Sequence, residues 1–590
     1  RMDAQTVIEY SKKPGEILYE SEAAGSNLQS VEYQTRYQSA NAYLNWSPKL
    51  GDDHTFKALA GWNIEKQKYE TLTIKREGFV TASKPSFGLM NGTTTDPTVG
   101  GYIWSYVGAF FRLNYGYKGK YLAEVNGRYD GTSRFPRGKR YGFFPSFSAA
   151  YRISEEAFFE PLRKTVDNLK IRLSYGSLGN QQIGYYDFIQ TITTKGSMGD
   201  YSFDGTILGQ HATVSDPVSG NQTWEKVISK NLGADLNMFS NRLSLTADFY
   251  IRDTKGILGK GKSLPSIYGA NEPQVNSNNL RTKGYELVLG WRDSFKLAGS
   301  TFSYGITGTF SDYTAEYTKC DNPSGLIGGP YVGKKYGEIW GYKVDGLFRN
   351  DEEAAEYASR VDLSKVAAGY YSATGAYGKG VRGGDIKYLD LDGSGIVDGG
   401  KGTLEDPGDR RVIGNSSPRY QYGLTLNLSW YGFDLSVFMQ GIGRLDWYPG
   451  ADDLRFWGPY SRPYATFIPK NFMSQVWSES NPDAYLPRAR AYTSLNSTQG
   501  TAYYTNDRYL QNLAYCRLKN LTLGYTIPKR LTSKVGIKEC RVYFSGENLA
   551  TWSALKNDFL DPEQAAADSD KKSNVYPWCR TYSVGLNLTF

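Results

Sequence analysis

Histidine and catalytic motifs are scarce in this chain. Its 590 residues contain 2 histidines, His54 and His211. No GxSxG elbow occurs, and neither histidine lies beside a candidate nucleophile in the sequence, so hydrolase chemistry has no residues to carry it. The 4 cysteines form no CxxC pair and have no histidine at metal spacing, which argues against zinc or redox chemistry and leaves a disulfide open. We therefore expect a protein that is not an enzyme and requires no cofactor.

Long apolar segments and one-sided charge are absent as well. No uninterrupted apolar run reaches the roughly 18 residues that a transmembrane helix needs. The mean hydropathy of -0.51 still permits a transmembrane β-barrel, whose strands turn only every second residue to lipid. The 68 basic and 60 acidic residues are spread along the chain without a basic run, so nucleic-acid binding is not expected.

Alternation of apolar and polar residues is what the sequence has in abundance. Tyr121, Val125 and Tyr129 share one parity, whereas Glu124 and Arg128 share the other. Leu245 and Phe249 alternate with Asp248 in the same way, and Leu586 and Leu588 with Asn587. We predict that the apolar set faces lipid and the polar set a lumen, because successive side chains of a strand point to opposite faces.

This pattern predicts about fifteen antiparallel strands. They are expected to start near residues 30, 54, 102, 120, 142, 168, 223, 242, 280, 300, 417, 433, 508, 539 and 577. Short and long links alternate between them, the longest being 317–416 and 445–507, as in outer-membrane barrels with short periplasmic turns and long extracellular loops. Residues 1–590 are thus expected to be an all-β transmembrane barrel region, in which 1–29 is a piece of an extracellular loop. A secreted β-rich carbohydrate-binding protein is the soluble alternative.

Several segments resemble, in order, the motifs of the SusC/RagA family of TonB-dependent outer-membrane transporters. They include Arg128–Phe135 with Phe144–Ser146 and Tyr151–Ser154, Gly384–Tyr388, Asp409–Arg410, Leu518–Tyr525, Gly546–Leu549 and Asp561–Glu563. The matches extend from about residue 100 to 590. The chain also ends in Phe590 after an alternating strand, which resembles the C-terminal signal of outer-membrane proteins.

The resemblance implies a barrel of 22 strands around an N-terminal plug. We expect this chain to hold about 15 of those strands and to lack the plug. It further implies localisation in the bacterial outer membrane and import of an oligosaccharide or peptide, together with a SusD-like surface lipoprotein and the TonB complex. A passive porin-like or structural barrel is the alternative function.

Aromatic residues concentrate in the segment 445–507. Aromatic rings beside polar groups can stack on sugars or hold peptide side chains, so this loop is a candidate substrate site. The alternative is that the rings pack the loop against itself or against a partner lid. The candidate residues are Trp447, Tyr448, Phe456, Trp457, Tyr460 and Tyr464.

A second candidate site lies in the segment 317–416. Asp390, Asp392, Ser394 and Asp398 occupy positions 1, 3, 5 and 9 of an EF-hand-like loop and offer oxygen ligands to Ca²⁺. Position 12, however, is Lys401 in place of the usual bidentate glutamate. The spacing therefore predicts weak calcium binding, and a simple turn is the alternative.

Overall fold

The computed structural model describes most of the chain. The described residues are 2–3, 6–10, 17–22, 27–78, 86–90, 92–196, 202–203, 206–207, 210–262, 264–371, 380–451, 453–461, 468, 470–490, 495, 500–556, 560–566 and 578–590. No helix among them is long and apolar enough to cross a membrane.

One large antiparallel sheet dominates the fold. Fifteen long strands follow one another in chain order, each pairing with the next, and the two-residue strand Met2–Asp3 pairs with the first of them. The strands are β1 Asn27–Trp46, β2 His54–Glu77, β3 Thr94–Tyr117, β4 Tyr121–Thr132, β5 Tyr141–Arg152, β6 Val166–Asn180, β7 Glu225–Met238, β8 Leu243–Lys260, β9 Gln274–Leu297, β10 Ser300–Lys319, β11 Arg419–Trp430, β12 Phe433–Arg444, β13 Tyr515–Thr526, β14 Glu539–Ser553 and β15 Thr581–Thr589. The predicted all-β class and strand number are confirmed.

The connections at one end of the sheet are short. Two of them are two-residue turns, Ala298–Gly299 and Tyr431–Gly432, in which both residues have positive φ, near +49° and +83° in the first and +49° and +82° in the second. This is the geometry of a type I′ turn, whose twist matches that of antiparallel strands, and glycine at the second position adopts it without steric cost. The other connections at this end are 47–53, 118–120, 153–165, 239–242 and 527–538.

The opposite end of the sheet carries most of the remaining chain. Its connections are 78–93, 133–140, 181–224, 261–273, 320–418, 445–514 and 554–580. The strand bounds thus set the two longest segments at 320–418 and 445–514, against the predicted 317–416 and 445–507. The long connections lie at one end, as the alternation of link lengths indicates. Placement of these segments and of residues 1–29 outside the cell stays a prediction.

Short elements occupy the connections and the segment before β1. The additional strands are Thr6–Tyr10, Ile17–Glu22, Ile192–Gly196, Ser202–Phe203, Thr206–Ile207, Gln210–Val214, Glu338–Tyr342, Val344–Leu347, Ile386–Tyr388, Arg410–Asn415, Asp446–Trp447 and Gln511–Asn512. The α-helices are Asp351–Ala358, Ala368–Tyr371, Leu454–Trp457, Phe472–Gln475 and Lys529–Thr532, and the 3₁₀ turns are Phe87–Leu89, Ile153–Glu155, Ala157–Leu162, Ser266–Tyr268, Gly458–Tyr460 and Ser533–Val535.

The sheet has two unlike faces. Tyr121, Val125, Tyr129 and Phe249 are exposed on the apolar face, while ion pairs and hydrogen bonds cover the opposite, polar face. The residues predicted to face lipid and those predicted to face the lumen therefore lie on opposite faces, as the strand register requires. Within the described residues the strand Met2–Asp3, paired with β1, and β15 are the two ends of the sheet and do not pair with each other, so the expected total of 22 strands stays a prediction.

Candidate functional site

The two longest connections fold together into one unit at the long-connection end. We call the described residues of 320–418 and 445–514 the loop body. Small antiparallel pairs build it, including Glu338–Tyr342 with Arg410–Asn415 and Asp446–Trp447 with Gln511–Asn512. Its core contains buried side chains from both connections, such as Phe348 and Trp457. The loop body is therefore a small folded structure with its own core.

The predicted aromatic residues contribute to that core. Phe456, Trp457 and Tyr460 are buried, Trp457 to 0% relative exposure. The ring of Trp457 packs against Tyr509 at 5.0 Å, and its Nε1 donates to the carbonyl of Pro449 at 3.3 Å. These three rings are enclosed by protein neighbours, which is the arrangement that the packing alternative predicts. Direct stacking on a substrate is not available to them in this conformation.

The other predicted aromatic residues differ in their placement. Trp447 and Tyr448 are half-buried at the margin of the core. The hydroxyl of Tyr448 donates to the carbonyl of Tyr504 at 3.0 Å and accepts from the side-chain amide of Asn506 at 3.2 Å. Part of each of these two side chains can still contact a ligand. Tyr464 lies outside the described residues.

A buried ion pair joins the two connections. Arg490 contacts Asp385 through Nε at 3.0 Å and Nη2 at 2.5 Å, and the two side chains are 6% and 1% exposed. Asp385 also accepts the backbone N–H of Arg382, and the guanidinium of Arg490 lies over the ring of Tyr370 at 4.1 Å. Burial raises the pKa of the Asp385 carboxyl to about 6, although the charge of Arg490 opposes this shift.

Carboxylates converge near the predicted calcium loop. Oxygen atoms of Asp390, Asp392 and Asp409 lie within 4.8 Å of one another. Asp398 is not part of this group, and its carboxylate accepts the N–H of Gly400 at 2.7 Å. The Ser394 hydroxyl donates to the carbonyl of Ile396 at 3.0 Å. Asp409 was not among the predicted ligands. Its position, far along the sequence from the EF-hand-like spacing, gave no signal.

These carboxylates also organise the backbone around them. Asp390 accepts the N–H groups of Gly393 and Gly395, and the buried Asp409 accepts those of Leu391 and Asp398. Burial raises the pKa of Asp409, whereas a backbone N–H lowers the pKa of the exposed Asp392. The structure accounts for this segment as a turn held by carboxylate–amide hydrogen bonds. Calcium binding stays a prediction.

A further charged cluster attaches the last long connection to the sheet. The guanidinium of Arg517 on β13 is 1% exposed; it contacts Asp561 and donates to Glu563 at 2.8 Å. Lys519 and the hydroxyl of Tyr515 also bind Glu563, at 2.8 and 2.6 Å. The Asp561–Glu563 motif, read from the sequence only as a family resemblance, thus anchors the segment 560–566.

The polar face of the sheet offers a second surface. Arg172 pairs with Asp235 at 2.9 Å and with Asp248 at 3.0 Å, and Asn231 donates to Asp248 at 2.8 Å. These groups adjoin a cavity of about 510 Å³ that Lys57, Glu124 and Lys170 also line. A wall of this kind suits polar solutes, since hydrated groups can exchange hydrogen bonds with its polar side chains.

Comparisons with known proteins agree with this architecture. Residues 5–549 match the family model described as TonB dependent receptor-like, beta-barrel. TonB-dependent receptor P26 of Formosa agariphila is 28% identical across 98% of this chain and 56% of that protein. TonB-dependent receptor SusC of Bacteroides thetaiotaomicron is 23% identical across 82% of this chain and 44% of that protein. The chain thus spans about half the length of the curated relatives it matches.

The solved structures give the same fold. The structure of the RagAB peptide transporter superposes with a TM-score of 0.71 at 20% identity, covering 96% of this chain and 56% of that one. At this identity the likeness concerns the fold alone.

Proposed function

This chain belongs to the TonB-dependent receptor-like β-barrel family, in its SusC/RagA type, and on that premise we propose that it forms the barrel part of an energised nutrient importer. Proteins of this family reside in the outer membrane, and this chain is an outer-membrane β-barrel protein. The observation that carries the proposal is the loop body, a folded unit with its own core that connects strands of a sheet with one polar face.

We propose that the loop body takes part in substrate capture. Phe456, Trp457 and Tyr460 then act indirectly, by fixing the shape of the body, whereas Trp447 and Tyr448 at its margin contact the substrate. An oligosaccharide or a peptide fits such groups, because a half-buried ring beside hydrogen-bonding groups can bind either a sugar face or an apolar side chain. The name of one structural neighbour, a peptide transporter, supports the peptide class, whereas the ring chemistry fits both classes.

The proposed partners are a SusD-like surface lipoprotein and the TonB complex. The similarity of the chain to SusC and RagAB supports a lipoprotein partner, and we propose that it covers the loop body. Contact with TonB is assigned to the plug region that the family resemblance implies. No enzymatic activity, required cofactor or nucleic-acid ligand is proposed for this chain.

Uptake by the full-length protein tests the function. Cells that carry or lack the gene are grown on defined oligosaccharides or peptides as the sole nutrient, and uptake of the labelled substrate is measured with and without TonB. We expect uptake that requires both the gene and TonB. Uptake that continues at the same rate without TonB would favour the alternative, a passive porin-like barrel. Replacing Trp447 or Tyr448 by alanine should lower substrate affinity. If the affinity is unchanged, these two residues do not contact the substrate.

A further inference from the structure

Lysines lie on the apolar face of the sheet near its long-connection end. In the register of β7, β8 and β9, Lys230 is opposite Ile251, which in turn is opposite Lys283. Four residues further toward the long connections, Lys226 and Lys255 are directly opposite each other on β7 and β8. Even spacing from Leu232 on β7 places Lys226 and Lys230 on the apolar face, because side chains alternate strictly along a strand.

Apolar rows lie immediately below these lysines. The row next to Lys230 consists of Leu232, Phe249 and Tyr285 in direct register, and the rows beyond it continue with leucine and alanine as far as Met238. Met238 to Lys230 is nine residues along β7, and a tilted strand crosses a bilayer in about 9 to 11 residues. The lysine rows therefore begin where the hydrocarbon layer should end.

The positive charge of these rows exceeds the negative charge of the carboxylates beside them, Asp253 and Glu316. We call Lys226, Lys230, Lys255 and Lys283 the basic patch. All four are exposed, and none forms an ion pair with a carboxylate in the part of the chain that the structure describes. The two nearby carboxylates already have cations: Asp253 pairs with Arg281 at 2.6 Å, and Glu316 pairs with Lys335. A net positive surface remains at the edge of the apolar zone.

We propose that the basic patch binds the phosphate groups of the phosphorylated glycolipid in the outer leaflet of the outer membrane. Outer-membrane barrels have their long loops outside, which places this end of the strands at the outer leaflet. The patch lies within strands and on the lipid side, so its neighbours in the membrane are lipid headgroups. Lysines near an anionic membrane surface each contribute about 1 kcal/mol, and an ammonium group suits a phosphate as a point charge.

Lipid binding to the full-length protein tests the proposal. The triple variant Lys230→Gln, Lys255→Gln, Lys283→Gln is purified in detergent, and binding of phosphorylated lipid A is measured by native mass spectrometry against wild type. We expect the triple variant to bind phosphorylated lipid A about 100-fold more weakly than wild type, which is about fivefold per lysine. Wild-type protein should bind dephosphorylated lipid A no better than the variant binds phosphorylated lipid A. If the triple variant folds poorly, the single variant Lys283→Gln is measured instead, and it should bind the lipid about fivefold more weakly than wild type.

Matched variants make the result specific. Lys164, Lys529 and Lys534 are exposed lysines in the short connections, and replacing these three by glutamine changes the net charge by the same amount at the opposite end. This control, and the charge-conserving change of the three patch lysines to arginine, should retain binding. Equal binding by wild type and the glutamine triple variant overturns the proposal, as does an equal loss in the control. Displacement of the lipid by equimolar inorganic phosphate also overturns it, in favour of a free-anion site.

Discussion

Removing Arg490 should loosen the loop body, because the change leaves Asp385 as an unpaired carboxylate with 1% exposure. Breaking a buried ion pair by deleting one partner costs about 3 to 5 kcal/mol. Since each 1.36 kcal/mol is a factor of ten, amide exchange that requires local opening should become roughly 10² to 5 × 10³ times faster in Arg490→Leu. Hydrogen–deuterium exchange on the full-length protein measures this at residues 380–390 and 484–490.

A surface pair between the same connections is the natural control. Arg349 and Asp483 are 3.4 Å apart but 68% and 83% exposed, so Arg349→Leu should leave exchange almost unchanged because water screens such pairs. The double change Asp385→Asn, Arg490→Leu should recover part of the loss, since no buried charge remains. Exchange rates in Arg490→Leu that match wild type would refute the reasoning, as would an equal effect of Arg349→Leu.

The same pair predicts a pH dependence of the loop body. Burial raises the pKa of Asp385 to about 6, above the value near 3.9 for an exposed aspartate. The folded state therefore binds more protons than the open state between about pH 4 and 6. The stabilising contribution of this group is fully present below pH 4 and is lost as the pH rises through about 6. Amide exchange of the loop body, corrected for the pH dependence of the intrinsic exchange rate, should slow in wild type when the pH is lowered from 7 to 5. The Asp385→Asn variant should not show this slowing.

Three further changes test other parts of the structure. Leu245→Arg should cost roughly 2 to 4 kcal/mol of folding free energy at the bilayer midplane, measured by denaturant unfolding in lipid; an unchanged midpoint would place Leu245 away from lipid. Arg517→Met should release residues 560–566, seen as faster proteolysis there, and wild-type resistance would show that the anchor lies elsewhere. Calorimetry should show a calcium Kd of about 10⁻⁴ to 10⁻³ M that is lost with Asp390→Ala and Asp392→Ala, whereas no heat in wild type means that the segment is only a turn.

The strands could be predicted because their signal is local. Alternation within ten or so residues decides which side chains face lipid, and the strand that begins at Leu243 was expected near 242. Three strand starts were less accurate. β9 begins at Gln274, not near 280. β3 begins at Thr94, not near 102, because residues 94–101 pair with the extended end of β2 although they lack apolar alternation. β13 begins at Tyr515, not near 508, because Tyr509 belongs to the core of the loop body and the buried Leu513 also lies in the connection before the strand.

The loop body was recognisable only as two long connections. An aromatic-rich loop has the same composition whether its rings bind a ligand or fill a core, and the difference depends on what the other connection supplies. Asp385 and Arg490 are 105 positions apart in the sequence, so the sequence around one residue does not predict its pairing with the other. The same holds for Asp409, which completes the carboxylate cluster from outside the EF-hand-like spacing. Long-range pairing of this kind has no periodicity from which to predict it.

The alternation of side chains nevertheless indicates one feature that involves several strands, the position of the membrane boundary. Leu232, Phe249 and Tyr285 lie in one row on the lipid side of the sheet. Lys230 and Lys283 lie on the same side, one row nearer the long connections. Along one face of a strand, apolar residues here give way to charged ones while the spacing of two residues is kept. The charged residues therefore still lie on the same face of the sheet as the apolar ones. This replacement marks a change in the medium outside the sheet, from hydrocarbon to headgroups, because a charge on the lipid side is tolerated only near the interface. The register between β7 and β9 aligns this change across three strands, which a single strand's sequence cannot do.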